Sequence, residues 1–349
     1  MAADTSRPII GITMGDPVGV GPELVCRVLA DPGLYERCRP LVIGDVTVLA
    51  AAQKLAGVSG GIREVDRPAA GKYEAGCLDV YPISHLSGDT FRWGHPTAVT
   101  GQAMLDYITT GIDLALSGEV AALVTSPINK TALKLAGSHF HGHTELLAHR
   151  CGTSGYAMMM AGARLRVVLA TIHVPLRSVP DLLNAELVLE TIRITGEALR
   201  ERFGVKRPRI AVAGLNPHAG EEEMFGDEEA RLIAPAVSRA VRAGIDAEGP
   251  FPPDTLFYNA VVGPDGEAPY DAVVCMYHDQ GLIPFKLIHF SDGVNTTLGL
   301  PIIRTSVDHG TAYDIAGKGV ADPGSLIAAI CMAAEQAVNR QAAHTETHE

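Results

Sequence analysis

The sequence predicts an α/β protein, a parallel sheet with helices packed over its faces. Short β-branched apolar runs alternate with helix-like stretches along the whole chain. Hydrophobic residues make up 47% and aromatic ones only 5% of the chain, the composition of Val/Ile/Leu-rich buried strands. At 349 residues the chain has room for two domains, each with its own core.

PIIGITMGD (8–16) reads as the first strand, followed by a Gly/Pro turn and the helix PELVCRVLA. RPLVIGD (39–45) repeats the plan, with a helix through VLAAAQKLAG. Residues 58–100 are rich in Gly, Pro and Ser and carry no clear period. A helix is expected over 101–118 and a buried strand in VAALVTSPINK (120–130). TELLAHR reads as a helix start with Thr144 as its N-cap. YAMMMAG, RVVLATIHVP (166–175) and RIAVAGLNPHAG (209–220) are strand-like, with a long amphipathic helix over about 181–204. EEARLIAPAVSRAVRAG (228–244) is a helix with acidic residues at its start and basic ones towards its end, as the macrodipole favours. Ala272–Met276 is another buried-type strand, SLIAAICMAAEQAVNR (325–340) is a terminal helix, and the tail QAAHTETHE is expected to fray.

The formal net charge of -12 argues against nucleic acid or an anionic membrane as the main partner. The six cysteines are scattered, with neither a CxxC pair nor a His-Cys zinc spacing, which fits a reducing compartment. MAADTSRP has no apolar segment of the secretory kind, and no apolar run approaches the roughly 20 residues that span a bilayer. A cytoplasmic location is expected.

The chemistry gathers at strand ends. Ligands in open α/β sheets bind outside the carboxyl ends of the strands. His173, His218 and His278 each follow directly on a buried-type strand. Three imidazoles with an open position make a divalent-metal site; separate loop histidines are the plainer alternative. His139, His141 and His143 form a second histidine tract, and backbone amides beside His143 and Thr144 suit an anion at a helix start. Lys286, Asn295 and Arg304 follow His278 and Asp279 in one short span: two cations and an amide suited to an anionic substrate. GDPVGVGPE (15–23) is a strand-to-helix glycine turn that is neither GxGxxG nor a P-loop, so it says only that backbone approaches something closely. Lys130 follows a strand in the same manner and reads as a ligand contact or as a solvated side chain.

HGTAYDIAGKGVADP resembles the nucleotide loop of the isopropylmalate and isocitrate dehydrogenases, HG(S/T)APDIAGKGIANP. With GDPVGVGPE, GHTE, GLNPHAGE, YHDQGLIPFK and TLGLPIIRTSVDHGTA, the chain over about 8–340 is similar to the 4-hydroxythreonine-4-phosphate dehydrogenase family of that superfamily. The resemblance implies an isopropylmalate-dehydrogenase-like fold of two α/β/α domains with the active site in the cleft between them. The expected boundaries are 1–130 plus 305–349 for the first domain and 131–304 for the second. It implies His173, His218 and His278 as ligands of one divalent ion (Zn, Co, Ni, Mg or Mn), shared between the subunits of a homodimer. His143, Thr144, Lys286, Asn295 and Arg304 match substrate positions, and Asp314 with Ile315 matches the cofactor loop. His139 and His141 inherit no role. Where the family commonly carries Gly-Gly after GLNPHAGE, this chain has Glu222-Glu223, which implies a stiffer, more acidic loop beside His218.

The implied reaction is NAD-dependent oxidation of the 3-hydroxyl of 4-phosphooxy-L-threonine to 2-amino-3-oxo-4-phosphooxybutanoate. That product decarboxylates to 3-amino-2-oxopropyl phosphate, in pyridoxal 5'-phosphate synthesis. A carboxylate at Asp314 accepts from a ribose 2′-hydroxyl and repels a 2′-phosphate, which favours NAD over NADP. Lys286 and Asp279 are the candidates for the general base. Alternatives are oxidation of 4-phospho-D-threonate or 4-phospho-D-erythronate, of a cyclic dicarboxylate diol, or a metal- and ligand-binding protein without catalysis.

Overall fold

The computed structural model describes residues 7–140, 142–263 and 268–346. The chain divides into two compact units, one running to Ser154 and taking in Leu300–Val338, the other comprising Gly155–Gly299 and the residues from Asn339 on. The segment 131–154 thus packs with the chain ends, not with the middle of the chain as expected, and carries His143 and Thr144 with it. Residues 300–304 move the same way.

The first unit opens with β1 (Ile9–Thr13), a five-residue run of β-branched and small residues buried along almost its whole length. β2 (Arg39–Asp45), β3 (Gly61–Glu64), β4 (Cys77–Ser84) and β5 (Ala122–Thr125) follow. β3 and β4 lie in the stretch whose composition gave no period; β3 is only partly covered, so its alternation is weak. Pro22 starts the helix Gly21–Val28 at a position where a missing N–H costs nothing. A Thr97/Thr100 capping box starts the helix Ala98–Leu116, three residues earlier than the periodicity placed it.

The second unit holds β6 (Ala157–Ala161), β7 (Arg166–Leu169), β8 (Arg209–Ala213), β9 (Asp246–Phe251), β10 (Ala272–Cys275) and β11 (Val294–Leu298). Its order is β11-β6-β7-β10-β8-β9. β6 runs antiparallel to both β7 and β11. This departs from an all-parallel sheet, because the short 162–165 connection has no room for a crossover helix. The expected helix over 181–204 is broken, and Asn184 caps a new helix, Ala185–Glu201. Met158, Met160, Val167, Leu169, Val273 and Phe285 share one core that fixes β6, β7, β10 and the helix His278–Ile288.

The chain then returns to the first unit with β12 (Arg304–Ser306), parallel to β5. The first sheet is ordered β3-β4-β2-β1-β5-β12 and is parallel throughout. The terminal helix, Gly324–Glu346, continues six residues beyond its expected end, into the tail expected to fray. No helix among the described residues is long and apolar enough to cross a membrane.

Candidate functional site

In the second unit, β7, β10 and β8 are neighbours and parallel, so the loops after them leave the same sheet edge. Those loops carry His173, His278 and His218. The rings of His173 and His278 lie 5.6 Å apart between centroids, beside a cavity of about 410 Å³ lined also by Thr171, Tyr277 and Asp279. His278 opens its helix, and its Nδ1 meets Asp279 Oδ1 at 2.7 Å. A carboxylate on Nδ1 orients the ring and leaves Nε2 for a ligand. His218 is exposed and packs its ring against Phe225 at 6.2 Å. No group of three or more His, Cys, Asp or Glu side chains comes together as a metal set among the described residues. One chain thus joins two of the three expected imidazoles.

His173 (φ 49) and His218 (φ 53) hold left-handed backbone, and the strain continues through Ala219, Glu221, Glu222 and Glu223. Glu222 (φ 54) and Glu223 (φ 70) occupy conformations that glycine adopts without penalty. This gives a physical reason for the Gly-Gly pair of the resembling family.

In the first unit, Arg304 on β12 is 3% exposed and donates to the Thr125 hydroxyl from Nε and Nη2, at 3.1 and 2.7 Å. Burial pushes its guanidinium down to about 9. Burial, and then the Arg304 charge, hold the His143 imidazole well below its ordinary pKa, so it is neutral at pH 7. Its enclosed Nε2 has no hydrogen-bond partner among the described residues. An unpaired buried group of this kind costs about 1–3 kcal/mol until a ligand or water pairs it. The helix here starts at His143 with Gly142 as N-cap, so Thr144 lies inside the first turn and does not cap it. His139 is exposed, and His141 lies outside the described residues.

The remaining substrate candidates belong to the second unit. Lys286 sits half-buried on the helix His278–Ile288, and Asn295 on β11 has an enclosed Oδ1 without a partner among the described residues. Two of the five candidates therefore present orphaned polar atoms, as groups built to meet a ligand do.

The close approach signalled by GDPVGVGPE is to the 309–319 loop. Val20 N–H donates to the Thr311 carbonyl at 3.0 Å, Gly19 packs against Thr311, and Glu23 Oε2 accepts from Gly319 N–H at 3.1 Å. Asp16, fully buried, accepts from the Tyr313 hydroxyl and from Val18 N–H. Burial raises its carboxyl above the usual range while those donors pull it back. The adjacent Asp314 is exposed. Ile315 N–H donates to the Ala312 carbonyl, and its own carbonyl accepts from Lys318 N–H. Lys130 is exposed at the start of a short helix capped by Asn129.

Asp16 and Tyr313 are not among the candidates that the sequence raises. The signal was present: an acidic residue closing a buried strand, and a phenol where the resembling loops carry Pro.

A profile of the pyridoxal phosphate biosynthetic protein PdxA family matches residues 36–333. A 4-hydroxythreonine-4-phosphate dehydrogenase of Desulforapulum autotrophicum is 62% identical over 332 residues, 95% of this chain and 96% of that one. A D-threonate 4-phosphate dehydrogenase of Cupriavidus necator is 44% identical over 334 residues, 95% of this chain and 98% of that one. A crystal structure of 4-hydroxythreonine-4-phosphate dehydrogenase from Klebsiella pneumoniae matches with a TM-score of 0.86 at 42% identity, covering 95% of this chain and 99% of that chain. With a family profile spanning most of its length and relatives above half identity end to end, the chain belongs to the PdxA family of pyridoxal phosphate biosynthetic proteins.

Proposed function

We propose that the protein oxidises the 3-hydroxyl of 4-phosphooxy-L-threonine with NAD, giving a β-keto acid that decarboxylates to 3-amino-2-oxopropyl phosphate in vitamin B6 synthesis. The observation that carries this reading is the buried Arg304 guanidinium beside the neutral, unpartnered His143 Nε2. A deeply desolvated cation next to an open hydrogen-bonding group suits a phosphate or carboxylate. The 62% identical relative, named for this reaction, supports it. Lys286 adds positive charge, while Asn295 and Thr144 orient the substrate. Asp279 orients His278, and Lys286, on the same helix, takes the hydroxyl proton.

The donor set fits a divalent ion: two imidazoles side by side, one with its Nδ1 on a carboxylate. When bound, such an ion supplies a Lewis acid that lowers the pKa of the substrate hydroxyl. The third imidazole completes the set across a homodimer. Ile283, Leu287 and Phe290 support the dimer, forming an exposed apolar stripe along and just past the helix that carries His278. Asp314 suits NAD, its exposed carboxylate accepting from a ribose 2′-hydroxyl and repelling a 2′-phosphate. A cytoplasmic location agrees with six free cysteines.

A second reading, oxidation of 4-phospho-D-threonate, is favoured by the 44% identical relative of that name, matched over the same length. The deciding experiment follows NADH absorbance with both substrates in parallel, with and without chelator. Preference for the amino acid supports the main reading, and preference for the threonate supports the second. Turnover of neither, by metal-replete protein, removes both.

A further inference from the structure

The three histidine loops leave separate strands, and buried polar groups connect them. The Thr171 hydroxyl, on the His173 loop, donates to the Met276 carbonyl at 2.7 Å. Met276 N–H, two residues before His278, donates to Gln280 Oε1 at 2.7 Å. Gln280 Nε2 donates to the Gly214 carbonyl at 2.7 Å, where the His218 loop begins. Beyond it, the N–H groups of Leu215 and Asn216 both donate to Glu229 Oε1 at 2.7 Å, and Asn216 Nδ2 reaches Glu229 Oε2 at 3.0 Å. Thr171, Gln280 and Glu229 are each no more than 7% exposed.

The polarity of each member is dictated by its neighbours. Position 280 needs one acceptor and one donor, which an amide supplies and a carboxylate does not. Position 229 faces three N–H donors, which suits a carboxylate. Glu229 opens a single π-helical turn, a device concentrated at functional sites. Left-handed backbone at His173 and His218 persists only where surroundings over-determine it.

We propose that this buried relay sets the registry of the three histidine loops, with Gln280 as the positioning residue at its centre. The inference rests on the metal reading above: His173 and His278 of one protomer would share an ion that the His218 loop, set by the same relay in the other protomer, would complete.

The test uses the full chain and Co²⁺ alone, with affinity read by chelator competition and geometry by the visible absorption of bound Co²⁺. Gln280→Glu keeps shape and the acceptor for Met276 N–H but sets a carboxylate against the Gly214 carbonyl. Thr171→Val deletes the hydroxyl, and Thr171→Ser restores it. Gln280→Glu and Thr171→Val are expected to bind Co²⁺ about 10- to 100-fold more weakly, the usual loss on removing outer support of a metal site, with altered bands. Thr171→Ser is expected to match the parent, and NADH affinity to be unchanged in all three. His278→Ala serves as the control. If it binds Co²⁺ as the parent does, the metal reading itself fails. If His278→Ala loses Co²⁺ while Gln280→Glu and Thr171→Val bind like the parent, the relay alone is overturned. Should Gln280→Glu not fold, the Val/Ser pair at Thr171 decides by the same criteria.

Discussion

Replacing Arg304 by Met is expected to make the protein more stable and a poorer binder of phosphorylated acids. The guanidinium is 3% exposed, and burial lowers it from its far higher ordinary value to about 9. At 1.36 kcal/mol per unit the depression amounts to about 5 kcal/mol at neutral pH, an order-of-magnitude ceiling. For a cation depressed in the folded state, the penalty is fully present below about pH 9 and is relieved as pH rises above that. Thr125 offsets part of it with a hydroxyl that accepts two N–H bonds. An anion brought against the guanidinium offsets more. Met keeps the stem's volume and drops the charge, so a gain of about 1–4 kcal/mol is expected. At about 2–4 °C per kcal/mol for a unit of this size, thermal unfolding of the ligand-free protein resolves it. Loss of a charge-assisted contact worth about 1.5–3 kcal/mol weakens phosphorylated substrate about 10- to 100-fold by calorimetric titration. An Arg304→Met protein that melts earlier than the parent and still binds the phosphorylated acid as tightly refutes the reasoning.

Asp314→Ala is expected to shift the ratio of kcat/KM for NAD over that for NADP by about tenfold or more towards NADP, about 1.4 kcal/mol; an unchanged ratio removes Asp314 from cofactor choice. Tyr313→Phe takes a donor from buried Asp16 and is expected to cost about 1–3 kcal/mol in denaturant unfolding and to weaken NADH binding. Burial holds the Asp16 carboxyl above its ordinary value, so its contribution is present at low pH and is lost as pH rises through the carboxylate range. Tyr313→Phe should steepen that loss, and parallel stability–pH curves for the two proteins would contradict it. Glu222→Gly and Glu223→Gly are each expected to stabilise by roughly 0.5–1 kcal/mol, the relief of left-handed strain less glycine's added chain entropy. Glu223→Ala keeps a Cβ and should gain nothing, so equal stability of the Ala and Gly variants would rule out strain as the cause.

Strands such as β1, β5 and β10 were legible because they are buried on both faces and short, and their apolar runs end at chemistry-bearing loops. β3 escaped notice because its residues are half-covered or exposed, which leaves little pattern. The reversal of β6 was hidden for another reason: strand direction is set by connection length and pairing, and AMMMA reads the same either way. At the candidate site, residue types and strand ends single out His173, His278 and Arg304 as candidates. What sequence did not convey was hydrogen-bond completeness. That Asp279 is engaged by its neighbour, that Thr144 does not cap its helix, and that His143 Nε2 is left open are properties of the packed structure.

The first unit is stitched from segments that leave the ribosome far apart in time. β5 presents Ala122–Thr125, every residue buried, along an edge whose partner β12 begins only at Arg304. The Asp16–Tyr313 bond likewise joins residues 297 positions apart. Strands β6–β11 are all made in the interval, so the middle of the chain can complete its own sheet while the amino-terminal part waits with an open apolar edge. Such an edge invites pairing with a neighbouring nascent chain. Synthesis of this protein therefore has a vulnerable window that closes only when the last fifty residues arrive, and loss of those residues would leave an aggregating fragment with its middle unit largely folded.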